Sequence, residues 1–226
     1  GDDLPLLPPG FDWTFDLQPG PADPALCLAG IDHIALCLPT GELDETAAAY
    51  QRVFHLKVIS SDDIDVGPSG MRSHILRGGG VTYVMAEPKP GRAPGQVGEF
   101  VELHQGGGVQ HLAFGTADIV TAVRALTRRG VDFLDTPDSY YDELAGRMPR
   151  NPVAVERLEH LRQTRVLADR DELGWLYQIF ARSPFQRGTV FFELIQRDGA
   201  YSFANGNVQN LFASREAVPA LSPLTV

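Results

Sequence analysis

Cysteine is scarce in this 226-residue sequence, which contains only Cys27 and Cys37. Two cysteines cannot build the disulfide framework of a small secreted domain, so we expect a reducing, cytoplasmic environment. The two are also not spaced as a CxxC pair, which excludes a zinc ribbon or a zinc finger.

Basic residues are outnumbered as well, with 19 Lys and Arg against 29 Asp and Glu and a net charge of −10. Nucleic acids and anionic membranes are bound by clusters of Lys and Arg, so neither is an expected partner. An anionic small substrate is still compatible with this charge, because a bound metal ion can outweigh the global field locally.

Long apolar runs are absent too. No segment approaches the roughly 20 apolar residues that a membrane-spanning helix needs, and the first residues lack the pattern of a signal peptide. Residues 1–29 are rich in proline and acidic residues, which is typical of a linker or tail and suggests a chain cut from a longer one. The composition, with 43% hydrophobic and 21% charged residues, is that of a soluble globular protein.

After residue 29, hydrophobic periodicity predicts the same series of elements twice. The first copy has a strand, an amphipathic helix and three strands, predicted at residues 31–38, 41–56, 56–60, 73–77 and 81–86. In the second copy an extra helix precedes the last two strands, and the predicted segments are residues 109–115, 118–130, 131–133, 152–163, 175–180 and 189–196. The sequence therefore predicts an α+β fold of two βαβββ modules, about 30–105 and 106–200.

Each module begins with a histidine in an apolar strand. His33 lies in GIDHIALCL and His111 in GVQHLAFGT, in both cases three residues after a glycine and directly after a polar residue. Each histidine alone could be a neutral core residue with one hydrogen bond. The repetition favours a shared role, because modules packed about an approximate twofold axis would bring the two imidazoles together.

Glu193 is the third residue of this kind, in the middle of the strand segment TVFFELIQR. A buried carboxylate is costly unless it is paired or bound to a cation. A salt bridge with Arg182 or Arg197, or an exposed edge strand, would also explain it. Two histidines and one carboxylate are, however, the protein ligands of the facial triad of non-haem ferrous oxygenases, which leaves positions open for substrate and dioxygen.

A family resemblance extends from about Gly30 to Phe212. The sequence is similar to the catalytic C-terminal domain of the 4-hydroxyphenylpyruvate dioxygenase and 4-hydroxymandelate synthase family, within the vicinal-oxygen-chelate superfamily. The resemblance implies two vicinal-oxygen-chelate modules that form an open barrel around a metal, with a catalytic domain at 30–214, a lid helix at about 205–214 and a tail at 215–226. The segments that carry it are IDHIALCL, GVQHLAFGTADIVTAV, FLDTPDSYYDEL, VLADRDELGWLYQIFARSP and GTVFFELIQRDG.

The resemblance also implies the components of the site. Fe(II) would be bound by His33, His111 and Glu193, and the substrates would be an aryl 2-oxo acid and dioxygen. It leaves a homodimer open and implies that the N-terminal module of the family is absent from this chain. The residues implied to line the substrate pocket are Ser73, Val84, Ala86, Gln96, Gln110, Gln178, Phe180, Val208 and Phe212.

Four of the pocket positions bear on the reaction product. Val84 and Ala86 stand where the dioxygenases usually have the proline and asparagine of a PINEP-like stretch, and the synthases lose both residues. Val208 is also closer to the synthases, whereas Phe212 is dioxygenase-like. The sequence favours benzylic hydroxylation to 4-hydroxymandelate, with ring hydroxylation to homogentisate as the alternative.

Two further classes within the superfamily are alternatives: metal-dependent isomerases and non-catalytic binding proteins. An isomerase should have a fourth protein ligand, and the nearest candidate, His74, points away from Ser73 by strand alternation. A binding protein has no need of Glu193 beside two histidines. Surface roles are expected for His55, His104 and His160.

Overall fold

A single eight-stranded sheet is the centre of the computed structural model, which describes residues 26–202. Its strands are β1 (Leu28–Cys37), β2 (Lys57–Val66), β3 (Ser69–Gly78), β4 (Val81–Pro88), β5 (Gly108–Thr116), β6 (Leu167–Arg170), β7 (Trp175–Phe180) and β8 (Phe191–Asp198). They lie side by side in the order β2-β3-β4-β1-β5-β8-β7-β6, and the sheet curls around one concave face. The predicted α+β class and vicinal-oxygen-chelate fold are confirmed.

Strand pairing divides the sheet into two equivalent halves. In the first half β1 runs parallel to β4, and in the second β5 runs parallel to β8. The halves meet where β1 and β5 pair antiparallel, so an approximate twofold axis passes between these two strands. The predicted repetition of strand, helix and three strands is therefore present in the structure.

Five helices are described: α1 (Leu43–Phe54), α2 (Gly95–His104), α3 (Ile119–Thr127), α4 (Asp138–Arg147) and α5 (Pro152–Thr164). The larger hydrophobic core joins α3, α4 and α5 to the second half of the sheet, and a smaller core lies between α1 and the first half. No helix within residues 26–202 is long and apolar enough to cross a membrane.

A buried carboxylate fixes the start of α1 to the end of β4. Glu87 is 0% exposed, and its Oε2 accepts hydrogen bonds from the backbone N–H groups of Gly41, at 2.6 Å, and Leu43, at 3.1 Å. Its Oε1 accepts a 2.7 Å bond from Arg72. The bond from Leu43 satisfies one of the unpaired N–H groups of the first helical turn, where a negative charge is also favourable. The contacts of Glu87 hold β4 in place, and with it the side chains that β4 directs to the concave face.

The elements differ from the sequence prediction in the second half of the sheet. Residues 131–133 form only an isolated bridge, Phe133 to Ala181, and the strand in this position is β6, which pairs with β7. Four residues, LADR, are too few to show a period. Helix α4 was not predicted either, although its buried residues Tyr140, Tyr141 and Leu144 have the three- and four-residue spacing of a helix.

Two differences occur in the first half. Strand β1 begins at Leu28 and not at Ile31, so it includes two residues assigned to the linker. Helix α2 was not predicted because Gly95 and Gly98 disfavour helices, yet its residues Val97 and Phe100 are buried and pack it onto the sheet. The predicted lid helix, Val208 and Phe212 lie outside the described residues.

Candidate metal centre

Strand register brings the three predicted ligands to one point of the concave face. His33 on β1 lies opposite Ala113 on β5, and His111 lies opposite Ala35. Ala113 in turn lies opposite Glu193 on β8. Residues directly opposite on neighbouring strands share a face, so His33, His111 and Glu193 surround Ala113, whose small side chain leaves room for them to meet.

The three side chains form a nearly equilateral triangle of donor atoms. His33 Nε2 lies 3.3 Å from His111 Nε2 and 3.5 Å from Glu193 Oε2, and His111 Nε2 lies 3.3 Å from the same oxygen. The centre of such a triangle is about 1.9 Å from each corner, slightly less than the roughly 2.0–2.2 Å of metal–nitrogen and metal–oxygen bonds at a transition ion. One cation can thus contact all three atoms from one side, and the donor set fits a metal.

The electrostatics of the triangle also call for a cation. Burial alone would raise the pKa of the Glu193 carboxyl, but His33 and His111 outweigh it and lower that pKa to about 2. Burial would lower the pKa of His33, but Glu193 and Asp32 raise it to about 9. A carboxylate that is 1% exposed therefore holds a positive charge beside it, and a divalent ion can replace the proton.

The alternative explanations for Glu193 do not apply in this structure. Arg182 pairs with Asp132 at 3.0 Å, and Arg197 pairs with Asp32 at 2.8 Å. Strand β8 is internal, because it lies between β5 and β7. Glu193 contacts the two histidines and Gln178 instead.

Each ligand is oriented by a hydrogen bond on the side away from the triangle. Gln178 Nε2 donates to Glu193 Oε1 at 2.7 Å. His33 Nδ1 lies 2.9 Å from Asp32 Oδ1, and His111 Nδ1 lies 3.2 Å from Gln110 Oε1. Both partner oxygens accept, which assigns the proton to Nδ1 and turns the Nε2 lone pair toward the common centre.

The approximate twofold axis shows why the ligand set stops at three. Glu193 pairs across the sheet with Ala113, two residues after His111. The equivalent position, paired with Ala35 two residues after His33, is occupied by Val84. An aliphatic side chain cannot ligate, and His33, His111 and Glu193 are the one ligand cluster found within residues 26–202. His74, as predicted, points elsewhere and contacts Asp44 and Ser61.

The triangle forms part of the wall of a cavity with about 830 Å³ of empty space, part of it open to solvent. All of the predicted pocket residues that lie within the described part of the chain line it: Ser73, Val84, Ala86, Gln96, Gln110, Gln178 and Phe180. Most of the wall comes from the first half of the sheet and from α2, whereas the second half contributes Gln110, His111, Gln178, Phe180 and Glu193.

One transverse row of the sheet crosses the cavity wall beyond the triangle, and the lining residues Ile64 and Met71 lie in the next row. Asp62 pairs with Ser73, Ser73 with Ala86, and Ala86 with Cys37. Cys37 lies four residues beyond His33 along β1, about 13 Å at the usual strand rise. This length accommodates a six-membered ring with a short side chain directed at the triangle.

Sequence reasoning missed several wall residues. Asp62 lines the cavity although its segment was predicted to be a turn, and its position there results from the pairing of β2 with β3, which sets it opposite Ser73. Asp32 was missed as the partner of His33. The sequence did contain a signal for Asp32, because it directly precedes His33 in the same way as Gln110 directly precedes His111.

Comparison with known proteins places the chain among enzymes with this architecture. The family described as the Glyoxalase/Bleomycin resistance protein/Dioxygenase superfamily matches residues 30–155. The chain is 36% identical over 203 residues to a 4-hydroxyphenylpyruvate dioxygenase of Xenopus tropicalis, covering 87% of this chain and 51% of that protein. It is 37% identical over 193 residues to that of Sus scrofa, covering 82% of this chain and 49% of the relative. The chain thus spans about half the length of the curated relatives it matches.

Solved structures give the same relationship. A triple mutant of 4-hydroxymandelate synthase from Streptomyces coelicolor is 46% identical, with a TM-score of 0.75, covering 83% of this chain and 54% of that one. A fusion of a xylose isomerase-like TIM barrel with 4-hydroxyphenylpyruvate dioxygenase is 30% identical with a TM-score of 0.64, covering 83% of this chain and 29% of the fusion. The similarity to 4-hydroxyphenylpyruvate dioxygenases and 4-hydroxymandelate synthase expected from the sequence is confirmed.

Proposed function

Since this chain belongs to the Glyoxalase/Bleomycin resistance protein/Dioxygenase superfamily, we propose that it carries the catalytic centre of an Fe(II)-dependent oxygenase. Its substrate would be an aryl 2-oxo acid such as 4-hydroxyphenylpyruvate, which is decarboxylated oxidatively and hydroxylated. The observation that carries this proposal is the buried triangle of His33, His111 and Glu193 in the wall of a largely apolar cavity.

Ferrous iron is the proposed cofactor, held by Nε2 of both histidines and Oε2 of Glu193. When bound, it supplies open coordination positions and the electrons for reaction of dioxygen with a 2-oxo acid. The absence of a ligand at Val84 supports this assignment, because an oxygenase needs places for both dioxygen and substrate. An isomerase with four protein ligands is disfavoured for the same reason.

The overall reaction balances without a second oxo acid. The substrate carboxylate leaves as carbon dioxide, one oxygen atom enters the new carboxylate, and the other enters a hydroxyl group. The protein's contribution is orientation, which decides the carbon that is hydroxylated. Phe180, whose ring centroid lies 6.2 Å from that of His111, would pack on the aryl ring, and Ser73 and Gln96 would bind polar groups on it.

We propose benzylic hydroxylation, giving 4-hydroxymandelate, as the outcome. Val84 and Ala86 support it, because both line the cavity and neither can hold the ring by a hydrogen bond. The higher identity to the synthase structure supports it as well. Ring hydroxylation to homogentisate is the second candidate, favoured by Phe212 in the sequence.

The test is a single-turnover experiment on the protein loaded anaerobically with ferrous iron. 4-Hydroxyphenylpyruvate and then air are added, oxygen uptake is followed, and products are identified by mass spectrometry. Hydroxymandelate supports the proposal, and homogentisate supports the second candidate. Iron bound without oxygen uptake or carbon dioxide release contradicts both products and points to a different oxo acid or to a non-catalytic binding protein.

A further inference from the structure

The two histidine ligands are held by unequal partners. Each histidine follows a polar residue that bonds to its Nδ1, and the two arrangements are related by the approximate twofold axis. The partner of His33 is a carboxylate, Asp32, at 2.9 Å, whereas the partner of His111 is a neutral amide, Gln110, at 3.2 Å. The symmetry of the fold is therefore broken directly behind the metal centre.

Asp32 is itself clamped by an arginine from the other half of the sheet. Arg197 on β8 donates from Nε to Asp32 Oδ2 at 2.8 Å and from Nη2 to Oδ1 at 2.9 Å. The same Oδ1 accepts the bond from His33, so the planar guanidinium fixes the oxygen that orients the imidazole. Two-point pairing of this kind is more directional than a single bond.

The arginine is in turn held at its far side. Arg197 Nη1 donates to the backbone carbonyl of Ser202 at 2.7 Å and contacts that of Ala200 at 3.4 Å. The side chains of Asp32 and Arg197 are 18% and 20% exposed, so both are largely withdrawn from solvent. A chain of fixed contacts leads from the backbone after β8 through Arg197 and Asp32 to His33.

Gln110 has a different setting. Its side chain lines the cavity, so it borders the space that a substrate would fill. A neutral amide polarises an imidazole less than a carboxylate does, because a charged acceptor makes the stronger hydrogen bond. His111 therefore has the weaker Nδ1 acceptor of the two ligands, and both histidines line the cavity.

We propose that Asp32 and Arg197 are positioning residues that fix the orientation of His33 and make it the more strongly donating of the two histidine ligands. This inference rests on the proposed function, because it assumes that the triangle binds a metal. Partners of ligating histidines commonly contribute 10- to 100-fold to metal affinity.

Anaerobic titration with Co(II) tests the inference, with affinity from calorimetry and ligand geometry from the visible absorption spectrum. Asp32→Asn keeps the shape of the side chain and removes its charge, and we expect Co(II) affinity to fall roughly 10- to 100-fold with an altered spectrum. Gln110→Glu, combined with Asp32→Asn, returns a carboxylate at the twofold-related position. We expect this double variant to regain part of the lost affinity, which a purely structural role of Asp32 would not produce.

Arg197→Lys separates charge from geometry, since lysine keeps the charge but cannot hold both carboxylate oxygens in one plane. We expect weaker Co(II) binding here too, and this variant decides the question should Asp32→Asn fail to fold. Wild-type affinity and spectrum in folded Asp32→Asn, or in Arg197→Lys, would overturn the inference. Failure of the wild-type protein to bind either Co(II) or Fe(II) would instead overturn the proposed function, and the inference with it.

Discussion

Ala113 shows how much of the metal centre depends on single residues. It is 0% exposed and lies between His33 and Glu193 in the register of the sheet. A larger side chain at this point would occupy the space in which the three donor atoms meet. The small residue is thus as necessary to the triangle as the ligands are.

Ala113→Val is therefore expected to impair the metal centre selectively. Two added methyl groups must displace His33 or Glu193, and overpacking of this kind typically costs about 1–3 kcal/mol. We expect a lower unfolding temperature and a metal affinity reduced at least tenfold, measured by calorimetry. The control Ala35→Val adds the same volume opposite His111 but away from Glu193, and an equal loss in both variants would contradict a special role for Ala113.

Glu193→Gln tests the charge of the triangle. The amide keeps the size of the side chain but supplies no negative charge, so we expect ferrous iron binding and oxygen uptake to be lost. The metal-free variant should unfold at a lower temperature than the metal-free wild type, because removing one partner of a buried ion pair leaves the other charge uncompensated, and Glu193 helps to keep His33 protonated. Iron content, oxygen consumption and thermal unfolding are the measurements. Glu172→Gln, at an exposed position, is the control, and stoichiometric iron in Glu193→Gln would refute the assignment.

The residues that sequence could and could not predict differ in a physical way. His33, His111 and Glu193 were predictable because a polar residue on an apolar strand needs an explanation, and three of them suggest a common one. Asp62 was not, because a carboxylate in the segment DDIDVGPSG is ordinary in a turn. Its place on the cavity wall depends on the pairing of β2 with β3, which no local pattern reveals.

At the scale of elements, the strand β4 is the twofold counterpart of β8. Val84 lies on β4 where Glu193 lies on β8, each opposite the alanine two residues after a histidine. Strand β2 forms although its sequence contains several aspartates, which are disfavoured in strands. Asp63 and Asp65 are nevertheless accommodated, because Lys89 pairs with them at 2.6 and 3.0 Å.

Val84→Glu should convert the open metal centre into one with four protein ligands. We expect tighter metal binding, seen as slower loss of metal to a chelator, together with loss of oxygen uptake because a coordination position is taken. Val84→Gln, of equal size but uncharged, is the matched control. Oxygen uptake at the wild-type rate in the glutamate variant would show that β4 is not equivalent to β8 at this point.

The turn between β6 and β7 offers a pH prediction. Asp171 accepts bonds from the N–H groups of Leu173, Gly174, Tyr201 and Ser202, and these bonds hold the pKa of its carboxyl well below the usual range. A carboxyl whose pKa is lower in the folded than in the unfolded chain stabilises the fold at every pH above its pKa in the unfolded chain, which is about 3.9 for Asp. This stabilisation is lost as the pH falls through the pKa of the folded protein.

Asp171→Asn should accordingly unfold at a lower temperature than wild type at neutral pH. The difference in unfolding temperature between the two proteins should remain constant down to about pH 4. It should become smaller below that pH, as the wild-type carboxyl becomes protonated. Scanning calorimetry of both proteins between neutral pH and pH 2 measures this. A difference that is independent of pH would mean that the hydrogen bonds do not depend on the charge of the carboxylate.

At the scale of the whole molecule, the metal ligands join the two halves of the sheet. His33 belongs to the first half, and His111 and Glu193 belong to the second. A ligand that binds only the folded state stabilises it by about 2.7 kcal/mol at a hundredfold excess over Kd. For a chain of this size that corresponds to roughly 5–10 °C in the unfolding temperature.

Chelation should therefore lower the unfolding temperature by several degrees in a single transition. Both halves share one sheet, so we expect them to unfold together with and without metal. Calorimetry before and after dialysis against a chelator, with re-addition of Fe(II) under argon, measures the effect. Two separate transitions after chelation would show that the halves are independent, and an unchanged temperature would argue against metal binding.

The overall architecture was predictable because two features of the sequence show that one module is repeated. These are the recurring order of predicted strands and helices and the two matching histidine strands. The antiparallel pairing of β1 with β5 was not predicted, because the twofold argument predicted only that the two imidazoles come together. Helix α4 and strand β6 were not predicted, whereas α5 between them was; α4 and β6 are stabilised by the large core that they share with α3 and α5. Tertiary packing, and not local preference, determines these elements.

The unequal contribution of the two halves to the cavity has a consequence for how such a protein can change. Nearly all of the wall that would meet an aryl group comes from the first half, whereas two of the three ligands, and Gln178 which orients one of them, come from the second. In the proposed oxygenase, most of the residues that contact the substrate and most of the residues that hold the metal would therefore lie in different stretches of one chain. We expect substitutions on the wall away from the ligands, such as at Ser73 or Gln96, to change which substrate binds while leaving metal binding unaltered.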